Sequence, residues 1–454
     1  MSERFDLIVI GGGSAARDGA LMAARRHGAR VAIVERERWG GSCPNIACSP
    51  TKAYLVAAEL VHDVNHLAPR MGIDAGPATV DLARLHAWKE TLKLAQDQWI
   101  ASLRDAGLET FSDEATFVGP HAVRVGDREL EAERILVATG SRTAVPPVEG
   151  LDEAGWIDHI SALELTETPE SLLVVGGGPV GLEFGQIFSR LGSKVTIVDA
   201  VDRICPASDA EASAVLHAAL EDEGIDITTS VFVQSARRDG DAITVRIAPR
   251  DGSDPYELRV ERILLASGRV PNLEGLNLEA AGVETTKMGI TVDEHMRTSA
   301  EGIWAAGDVS AGLQLTPVAQ YQARVAVADM FGSDRPTVDY WALPTAIFTD
   351  PELGGAGLSE AAAREQGHDV AVATHDAVKR FQFVDERHGL FKIVFDRGTG
   401  RVLGLHVVSR SAGDVVQGFS AAMRLGLTVD DVAAMHHIFP SFGEGLKAAA
   451  EQAA

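Results

Sequence analysis

Phe-Asp-Leu-Ile-Val-Ile-Gly-Gly-Gly-Ser-Ala-Ala, at residues 5–16, is the stretch that determines the fold. It predicts an apolar strand over 5–10, a glycine turn, and a helix that includes residues 20–26. Gly11 permits the tight turn, Gly13 lets the backbone approach a pyrophosphate, and the small Ala16 allows close packing of helix on strand. The helix N-terminus then offers free N–H groups to phosphate. The stretch therefore predicts a dinucleotide-binding unit.

A carboxylate follows at the distance that such a unit requires. The second predicted strand, residues 31–34, ends at Glu35, nineteen residues after Ala16. An acidic side chain at this point accepts hydrogen bonds from an adenosine ribose. A plain glycine-rich turn would need no such acid, so Glu35 favours the dinucleotide interpretation.

The same pattern recurs 165 positions after Gly11, at Gly176. A strand predicted over 172–175 leads into the second glycine turn, and another over 195–198 ends at Asp199. The glycines of the second motif are Gly176, Gly178 and Gly181. Two such units in one chain predict two nucleotides in one enzyme.

Asp199 bears on which nicotinamide nucleotide the second unit takes. Its carboxylate would repel a 2′-phosphate and accept a hydrogen bond from a free 2′-hydroxyl, which favours NADH over NADPH. The nearby Arg203 weakens this preference.

Two cysteines lie in residues 40–52, which read Gly-Gly-Ser-Cys-Pro-Asn-Ile-Ala-Cys-Ser-Pro-Thr-Lys. On an ideal helix Cys43 and Cys48 would be roughly 8.6 Å apart, beyond the reach of a disulfide. If they are bonded, the helix must be distorted between them, and Pro44 offers the means. Because the chain has only three cysteines in 454 residues, this close pair indicates redox or metal chemistry rather than a structural disulfide. The flanking motifs favour redox, and no resident metal site is predicted.

Charge and hydropathy restrict the partners and the location. The net charge of −24 argues against binding to nucleic acid or to anionic membranes. No apolar run is long enough for a membrane span. The charged N-terminus, residues 1–6, leads directly into a strand and is unlike a signal peptide. These features predict a cytoplasmic enzyme.

Several further segments carry recognisable patterns. Helices are predicted over 53–61 and 83–104. A strand is predicted to end at Asp308, and Thr316 is predicted to cap a helix that runs to about Met330. From residue 343 onward, alternating strands and two helices predict a separate α+β domain. Cys205, with no cysteine near it in sequence, is predicted to be inert.

Together these patterns resemble the flavoprotein disulfide reductases, the family of glutathione reductase, dihydrolipoamide dehydrogenase and mercuric reductase. Five spaced motifs carry the resemblance: the first glycine motif with Glu35, the cysteine pair with Pro50 and Lys52, residues 138–140, the second glycine motif, and residues 305–308. The resemblance implies an α/β fold of two Rossmann-like dinucleotide-binding domains and a C-terminal α+β dimerisation domain. The implied ranges are 1–147 with 273–342 for FAD, 148–272 for NAD(P) and 343–454 for dimerisation. It also implies a homodimer in which the C-terminal domain completes the partner's active site.

The resemblance further implies where each cofactor binds. The residues that match the FAD site are Gly11, Gly13, Ala16, Glu35, Ser42, Lys52, Thr139, Gly140, Asp308 and Thr316, with Glu35 at the adenosine ribose and Asp308 at the ribityl chain. Those that match the NAD(P) site are Gly176, Gly178, Gly181, Glu183, Asp199 and Gly268. Electrons would pass from NADH or NADPH through FAD to a Cys43–Cys48 disulfide.

The resemblance also assigns roles within the redox site. Cys48 matches the thiol against the flavin, and Cys43 matches the exposed thiol that attacks the substrate. Lys52 matches the family lysine near flavin N5, with Glu183 as its ion-pair partner.

Two departures from the family pattern bear on the electron acceptor. Disulfide-reducing members carry a histidine directly before the C-terminal proline, held by a glutamate, whereas this chain has Phe439 there and retains Glu444. His437 matches an accessory histidine, so a shift of register does not restore the base. Because a phenyl ring cannot protonate a leaving thiolate, the acceptor is expected to be one that needs no proton. The second departure is Pro179, where many members carry a tyrosine over the nicotinamide, and it suggests a more open nucleotide site.

Three functions stay open on the sequence. A metal-ion reductase similar to mercuric reductase is favoured, although the last residues carry no cysteine pair and no metal-binding domain is expected before Met1. A dihydrolipoamide dehydrogenase or other small-disulfide reductase would need His436 or His437 to reach the thiols. A quinone reductase (diaphorase) or a redox-sensing flavoprotein is the third alternative.

Overall fold

The computed structural model describes residues 3–332 and 334–453. The first two residues of the predicted charged N-terminus therefore lie outside the described residues. The chain forms two compact units, each assembled from three segments. The first unit comprises residues 1–50, 88–144 and 268–339, and the second comprises 51–87, 145–267 and 340–454.

The first unit is built around a parallel sheet. Its strands lie in the order Ile303–Ala305, Ile135–Val137, Leu7–Ile10, Val31–Val34 and Glu109–Phe111. All four residues of Leu7–Ile10 are buried, as expected of a central strand covered on both faces. The helices Ser14–His27 and Thr316–Phe331 pack against each other on this unit. The strand, turn and helix predicted from residues 5–16 are present, but the strand begins at Leu7, because Phe5 ends a strand of a different sheet.

Smaller elements complete the first unit. A second sheet has the strand order Glu3–Phe5, Arg128–Ala132, Ala122–Val125 and Ala115–Gly119. Two-stranded pairs join Ser141–Thr143 to Arg269–Pro271 and Thr285–Thr286 to Gly289–Ile290. The short helices are Ser42–Asn45, Gln96–Asp105 and the 3-10 turn Leu278–Ala281.

The second unit contains its own parallel sheet. The strand order is Asp226–Thr228, Lys194–Val198, Ser171–Val175 and Arg262–Leu265. The helices Pro179–Arg190 and Ala210–Asp222 pack on it, and an antiparallel sheet of Val231–Asp239, Ala242–Pro249 and Tyr256–Val260 follows. Strand Ser171–Val175, helix Pro179–Arg190 and strand Lys194–Val198 confirm the second predicted βαβ repeat.

An antiparallel sheet dominates the C-terminal part of the second unit. Its order is Pro344–Ile347, Glu352–Gly357, Val402–Ser409, Leu390–Asp396 and Val370–His375. The helices of this part are Glu360–Glu365, Phe381–Val384, Ala412–Arg424, Val429–Ala434 and Glu444–Glu451. These are more helices than the two predicted, because three of them have six residues or fewer, too short for a periodic pattern.

The remaining helices show where sequence periodicity misplaces boundaries. The predicted helix over 53–61 runs from Cys48 to His62 and continues as a π-helical turn, Asp63–Leu67, and the turn Ala68–Arg70. The predicted helix over 83–104 is wrong, since it is two helices, Leu82–Thr91 and Gln96–Asp105. Ala95 between them is extended, with ψ of 145°, and it starts the second helix. Two further turns, Leu151–Ala154 and His159–Ala162, lie in the second unit. The division into three domains stays a prediction.

Candidate functional site

A cleft in the first unit lies over the glycine turn that follows strand Leu7–Ile10. It has a volume of about 1250 Å³, including space open to solvent. Gly11 has φ of +116°, and a Cβ there would collide with the carbonyl oxygen of Ala138. A Cβ on Gly41 would lie 2.5 Å from the Cα of Gly13, so these backbones touch where side chains would block the cleft. Ala16 is buried beneath the turn. The cleft thus has the bare backbone lining that a pyrophosphate requires.

Glu35 is fixed at the end of its strand by backbone donors. Its Oε2 accepts the N–H of Gly12 at 2.7 Å, and its Oε1 accepts those of Glu37 at 2.6 Å and Arg38 at 3.0 Å. The carboxylate lines the same cleft. Its predicted role at an adenosine ribose stays a prediction.

A polar cluster closes the other part of the cleft. Asp308 follows strand Ile303–Ala305 and accepts the hydroxyl of Ser141 at 2.6 Å. Arg269 donates to that hydroxyl at 2.8 Å and lies 3.6 Å from the Asp308 carboxylate. Thr139 donates its hydroxyl to the carbonyl of Asn272 at 2.8 Å, and Gly140 has φ of +72°. These bonds hold Asp308 in place on the cleft wall.

FAD fits this cleft on the evidence of its own lining. Gly13 and Gly41 leave room for a pyrophosphate where side chains would block it, and Glu35 and Asp308 line the same space. The ribose role of Glu35 and the ribityl role of Asp308 stay predictions. Ser42, Thr139, Gly140 and Thr316 also line the cleft, whereas Ala16 is buried and does not line it. Lys52, the remaining predicted FAD residue, belongs to the second unit.

The redox segment is broken between its cysteines. Cys43 lies in the short helix Ser42–Asn45, and Cys48 begins the next helix, Cys48–His62. The carbonyl of Ser42 accepts N–H groups from both Ile46 and Ala47, each at 2.9 Å. The second of these bonds joins residues five apart, which is a π-type turn. The expected interruption of the helix is therefore present.

The two sulfurs have different surroundings. Cys43 is half-buried and lines the cleft, while Cys48 is exposed. The Sγ of Cys48 lies 3.8 Å from the hydroxyl of Thr316. The division of roles between the two thiols stays a prediction.

The placement of Thr316 corrects one prediction. Leu315, not Thr316, is the N-cap of helix Thr316–Phe331, because the carbonyl of Leu315 accepts the first helical hydrogen bond, from Ala319 at 2.9 Å. Thr316 is thus already inside the helix, and its hydroxyl faces a redox sulfur.

The second glycine turn repeats the construction of the first. Gly176 has φ of +117°, and a Cβ there would collide with the carbonyl oxygen of Ala266. A Cβ on Gly181 would collide with the carbonyl oxygen of Gly176, which explains why the last position of the motif is glycine. Gly178 is the extended N-cap of helix Pro179–Arg190. Gly268 belongs to the first unit and has φ of +107°.

Asp199 is held as Glu35 is. Its Oδ2 accepts the N–H of Gly177 at 2.5 Å, and its Oδ1 accepts that of Val201 at 3.0 Å. Arg203 instead donates to the carbonyl of Pro206 at 2.7 Å.

Cys205 lies beside this second turn and is buried. Its N–H donates to the carbonyl of Gly177 at 2.9 Å. Burial, reinforced by the charges of Asp199 and Glu183, raises the pKa of the Cys205 thiol to about 12. The thiol is therefore protonated at neutral pH, as expected of an unreactive cysteine.

Lys52 and Glu183 form the predicted ion pair. The Lys52 Nζ donates to both carboxylate oxygens of Glu183, at 2.8 and 3.0 Å. Glu183 is only 7% exposed and also accepts the N–H of Phe348 at 3.1 Å. The Nζ lies 4.2 Å from the centre of the Phe348 ring. Three contacts therefore fix the direction of the lysine side chain.

The C-terminal segment carries the main departure from the family pattern. Phe439 is 73% exposed. Glu444 accepts the N–H of Ser441 at 2.8 Å. His437 stacks on Phe419 with ring centres 5.9 Å apart, and among the described residues its Nε2 has no hydrogen-bond partner. Burial lowers the pKa of His437 below its ordinary value. The neutral imidazole in this segment is thus turned against an aromatic ring.

Several residues that shape the site carry no sequence signal of their own. Ser141 and Arg269 meet at Asp308, and Phe348 contacts Lys52, although each pair is far apart in sequence. Asn272 is the last residue of the range predicted for NAD(P), and this is the one hint that the sequence offers. Their roles depend on tertiary contacts that no local pattern reveals.

Comparison with known proteins identifies the family. Residues 5–323 match the pyridine nucleotide-disulphide oxidoreductases, and residues 343–450 match the dimerisation domain of the same family. The chain belongs to the pyridine nucleotide-disulphide oxidoreductase family. It is therefore an FAD-dependent oxidoreductase that uses a nicotinamide nucleotide, with the Cys43–Cys48 pair at its redox site.

Individual relatives share nearly the whole chain. A mercuric reductase from Staphylococcus aureus is 35% identical over 98% of this chain and 82% of its own length. A dihydrolipoyl dehydrogenase from Thermus scotoductus is 37% identical over 98% of this chain and 97% of its own. The Cu(II) complex of the HOCl-induced flavoprotein disulfide reductase RclA from Escherichia coli superposes with a TM-score of 0.87 at 28% identity, covering all of both chains.

Membrane insertion by a helix finds no support in the structure. Within residues 3–332 and 334–453, every helix is too short or too polar to span a bilayer. The dimerisation domain supports a homodimer.

Proposed function

We propose that this flavoprotein uses NADH to reduce the Cys43–Cys48 pair, and that the pair delivers electrons to a thiol-binding metal ion such as Hg(II). The observation that carries the proposal is Phe439, an exposed phenyl ring at the position of the family's proton donor. We also propose that the enzyme acts in the cytoplasm, as its composition predicts.

The number of protons consumed distinguishes a disulfide acceptor from a metal-ion acceptor. Reducing a disulfide to two thiols consumes two electrons and two protons, and a thiolate leaves poorly unless it is protonated. Reducing Hg(II) held by two thiolates consumes two electrons, forms the Cys43–Cys48 disulfide and releases Hg(0) without a proton. Phe439 would hinder the first reaction and leave the second intact. The relatives named mercuric reductase and the Cu(II) complex of RclA support this choice.

Different residues of the chain would bind the cofactor, place a charge beside it and transfer electrons. Bound FAD would supply the electron transfer between the nicotinamide and the sulfur pair. The cleft glycines, Glu35 and Asp308 would hold it. Lys52, fixed by Glu183 and Phe348, would place a cation beside the ring system. Cys48 would lie against the flavin, and Cys43 would meet the acceptor.

A reductase for small disulfides is the second candidate, because the Thermus scotoductus dihydrolipoyl dehydrogenase is 37% identical over nearly the whole chain. A comparison of acceptors separates the two. Anaerobic NADH oxidation is measured with Hg(II) buffered by a low-molecular-weight thiol, with Cu(II), with oxidised lipoamide and with a quinone. We expect lipoamide turnover to be about 10²-fold or more below Hg(II) turnover, the usual cost of a missing acid–base group. Lipoamide turnover equal to or above that with Hg(II) would contradict the proposal.

The nucleotide preference gives a further prediction. Replacing Asp199 by Ser removes the charge that faces the ribose, so the ratio of kcat/KM for NADH to that for NADPH should fall by about 10- to 100-fold. Steady-state kinetics with a quinone, which avoids the thiol step, measure this ratio. Asp202→Ser, three positions away and exposed, is the matched control and should leave the ratio unchanged. An unchanged ratio in Asp199→Ser would remove the basis for assigning NADH.

A further inference from the structure

A buried network anchors the turn between the two cysteines to a different helix. Asn45, between Cys43 and Cys48 in sequence, donates from Nδ2 to the carbonyls of Gly41 at 2.8 Å and Trp39 at 3.0 Å. Asn45 and Trp39 are both buried. The turn is thereby closed on the backbone that leads into it.

Trp39 is in turn held from two sides. Its indole N–H donates to the hydroxyl of Ser112 at 3.1 Å, just after strand Glu109–Phe111. Its backbone N–H donates to Oε1 of Gln96 at 2.7 Å. Gln96 is the first residue of helix Gln96–Asp105, and its Nε2 lies 3.4 Å from both the Trp39 carbonyl and Oδ1 of Asn45. The Gln96 side chain therefore contacts both Trp39 and Asn45.

We infer that Gln96 is a positioning residue for the redox pair, acting through Trp39 and Asn45 to hold the turn in the geometry that brings the two sulfurs together. This inference rests on the redox pair that the family shows and is independent of the proposed metal acceptor.

The energetic consequence concerns ring closure. Forming the disulfide removes two electrons and two protons from the dithiol and closes a ring over residues 43–48. A turn that is already fixed pays less entropy for this closure than a mobile one. The π-type bond from the Ala47 N–H to the Ser42 carbonyl spans five residues, the same spacing that separates the two cysteines. Loss of the anchor should therefore disfavour the disulfide relative to the dithiol.

The test measures the thiol–disulfide equilibrium directly in the FAD-containing enzyme. Protein is equilibrated in dithiothreitol redox buffers, quenched by alkylation, and the peptide with Cys43 and Cys48 is quantified by mass spectrometry. Gln96→Ala should shift the equilibrium about tenfold toward the dithiol, a potential about 30 mV more positive. The matched control is Gln98→Ala, on the same helix, whose Oε1 accepts the Ala95 N–H at 3.3 Å. It should shift the equilibrium by less than about twofold.

A second variant keeps the inference testable if Gln96→Ala loses FAD or fails to fold. Gln96→Glu retains an acceptor for the Trp39 N–H but, when ionised, turns a carboxylate oxygen toward the Trp39 carbonyl and Oδ1 of Asn45. At pH 7, where the new carboxylate is ionised, its thiol–disulfide equilibrium should shift toward the dithiol relative to Gln98→Ala, because the carboxylate repels both oxygens. An equilibrium in Gln96→Ala or in Gln96→Glu equal to that of Gln98→Ala would overturn the inference. Because no metal acceptor is used, neither result depends on the proposed substrate.

Discussion

Replacing Cys43 by Ser should lower Hg(II)-dependent NADH oxidation on the order of 10³-fold while leaving quinone reduction little changed. A serine cannot form the disulfide whose formation supplies two electrons to the metal, and the groups of a catalytic unit fail together when one is removed. The structure places Cys43 at the wall of the cleft in which the glycine turn and Glu35 lie. Parallel assays with Hg(II) and a quinone measure the separation.

Cys205→Ser is the matched control for this experiment. It also exchanges a cysteine for a serine, but at a buried site whose thiol has a pKa raised to about 12. Both activities should survive in it. Equal loss of the two activities in Cys43→Ser would mean that the substitution damages the flavin site. Retention of Hg(II) turnover would show that the metal is reduced without the thiol.

Replacing Phe439 by His should raise turnover with oxidised lipoamide by about 10²-fold or more, since a positioned acid–base group contributes 10²–10⁴-fold. Glu444, the family's partner for this histidine, is present five residues later and accepts the Ser441 N–H at 2.8 Å. Position 439 is exposed, as expected of a residue that would act in the partner subunit of a homodimer. Steady-state NADH oxidation with lipoamide measures the gain.

Phe439→Leu separates proton donation from altered shape. It removes the aromatic ring without adding a group that titrates, so lipoamide turnover should stay near the wild-type value. Hg(II) turnover should change little in either variant, because that reaction needs no proton at this position. A gain in Phe439→Leu equal to that in Phe439→His would show that the ring obstructs the substrate rather than withholding a proton.

The sequence was most informative where backbone geometry dictates residue type. Gly11 and Gly176 both have φ values near +117°, and a Cβ at either position would collide with a carbonyl oxygen. Glycine is therefore required at both positions, and the motif can be recognised in the sequence. The same holds for Glu35 and Asp199, which end their strands and accept backbone N–H groups. These local constraints made both nucleotide-binding units predictable from the sequence.

Prediction failed where distant segments decide the outcome. The helix start at Leu315 rather than Thr316 depends on which carbonyl takes the first hydrogen bond, and residues with either role look alike in sequence. Nothing near Gln96 suggested a link to the redox turn, because its partners lie 51 and 57 positions away. Periodicity likewise joined residues 83–104 into one helix, although the extended Ala95 divides them.

Because Cys205 is buried, its reactivity toward a thiol reagent reports whether the protein is folded. A membrane-impermeant maleimide should find two sulfurs per folded, reduced subunit and a third only after denaturation, since the protonated, enclosed thiol is shielded from electrophiles. The number of labelled thiols per subunit would then give the fraction of unfolded protein in a preparation.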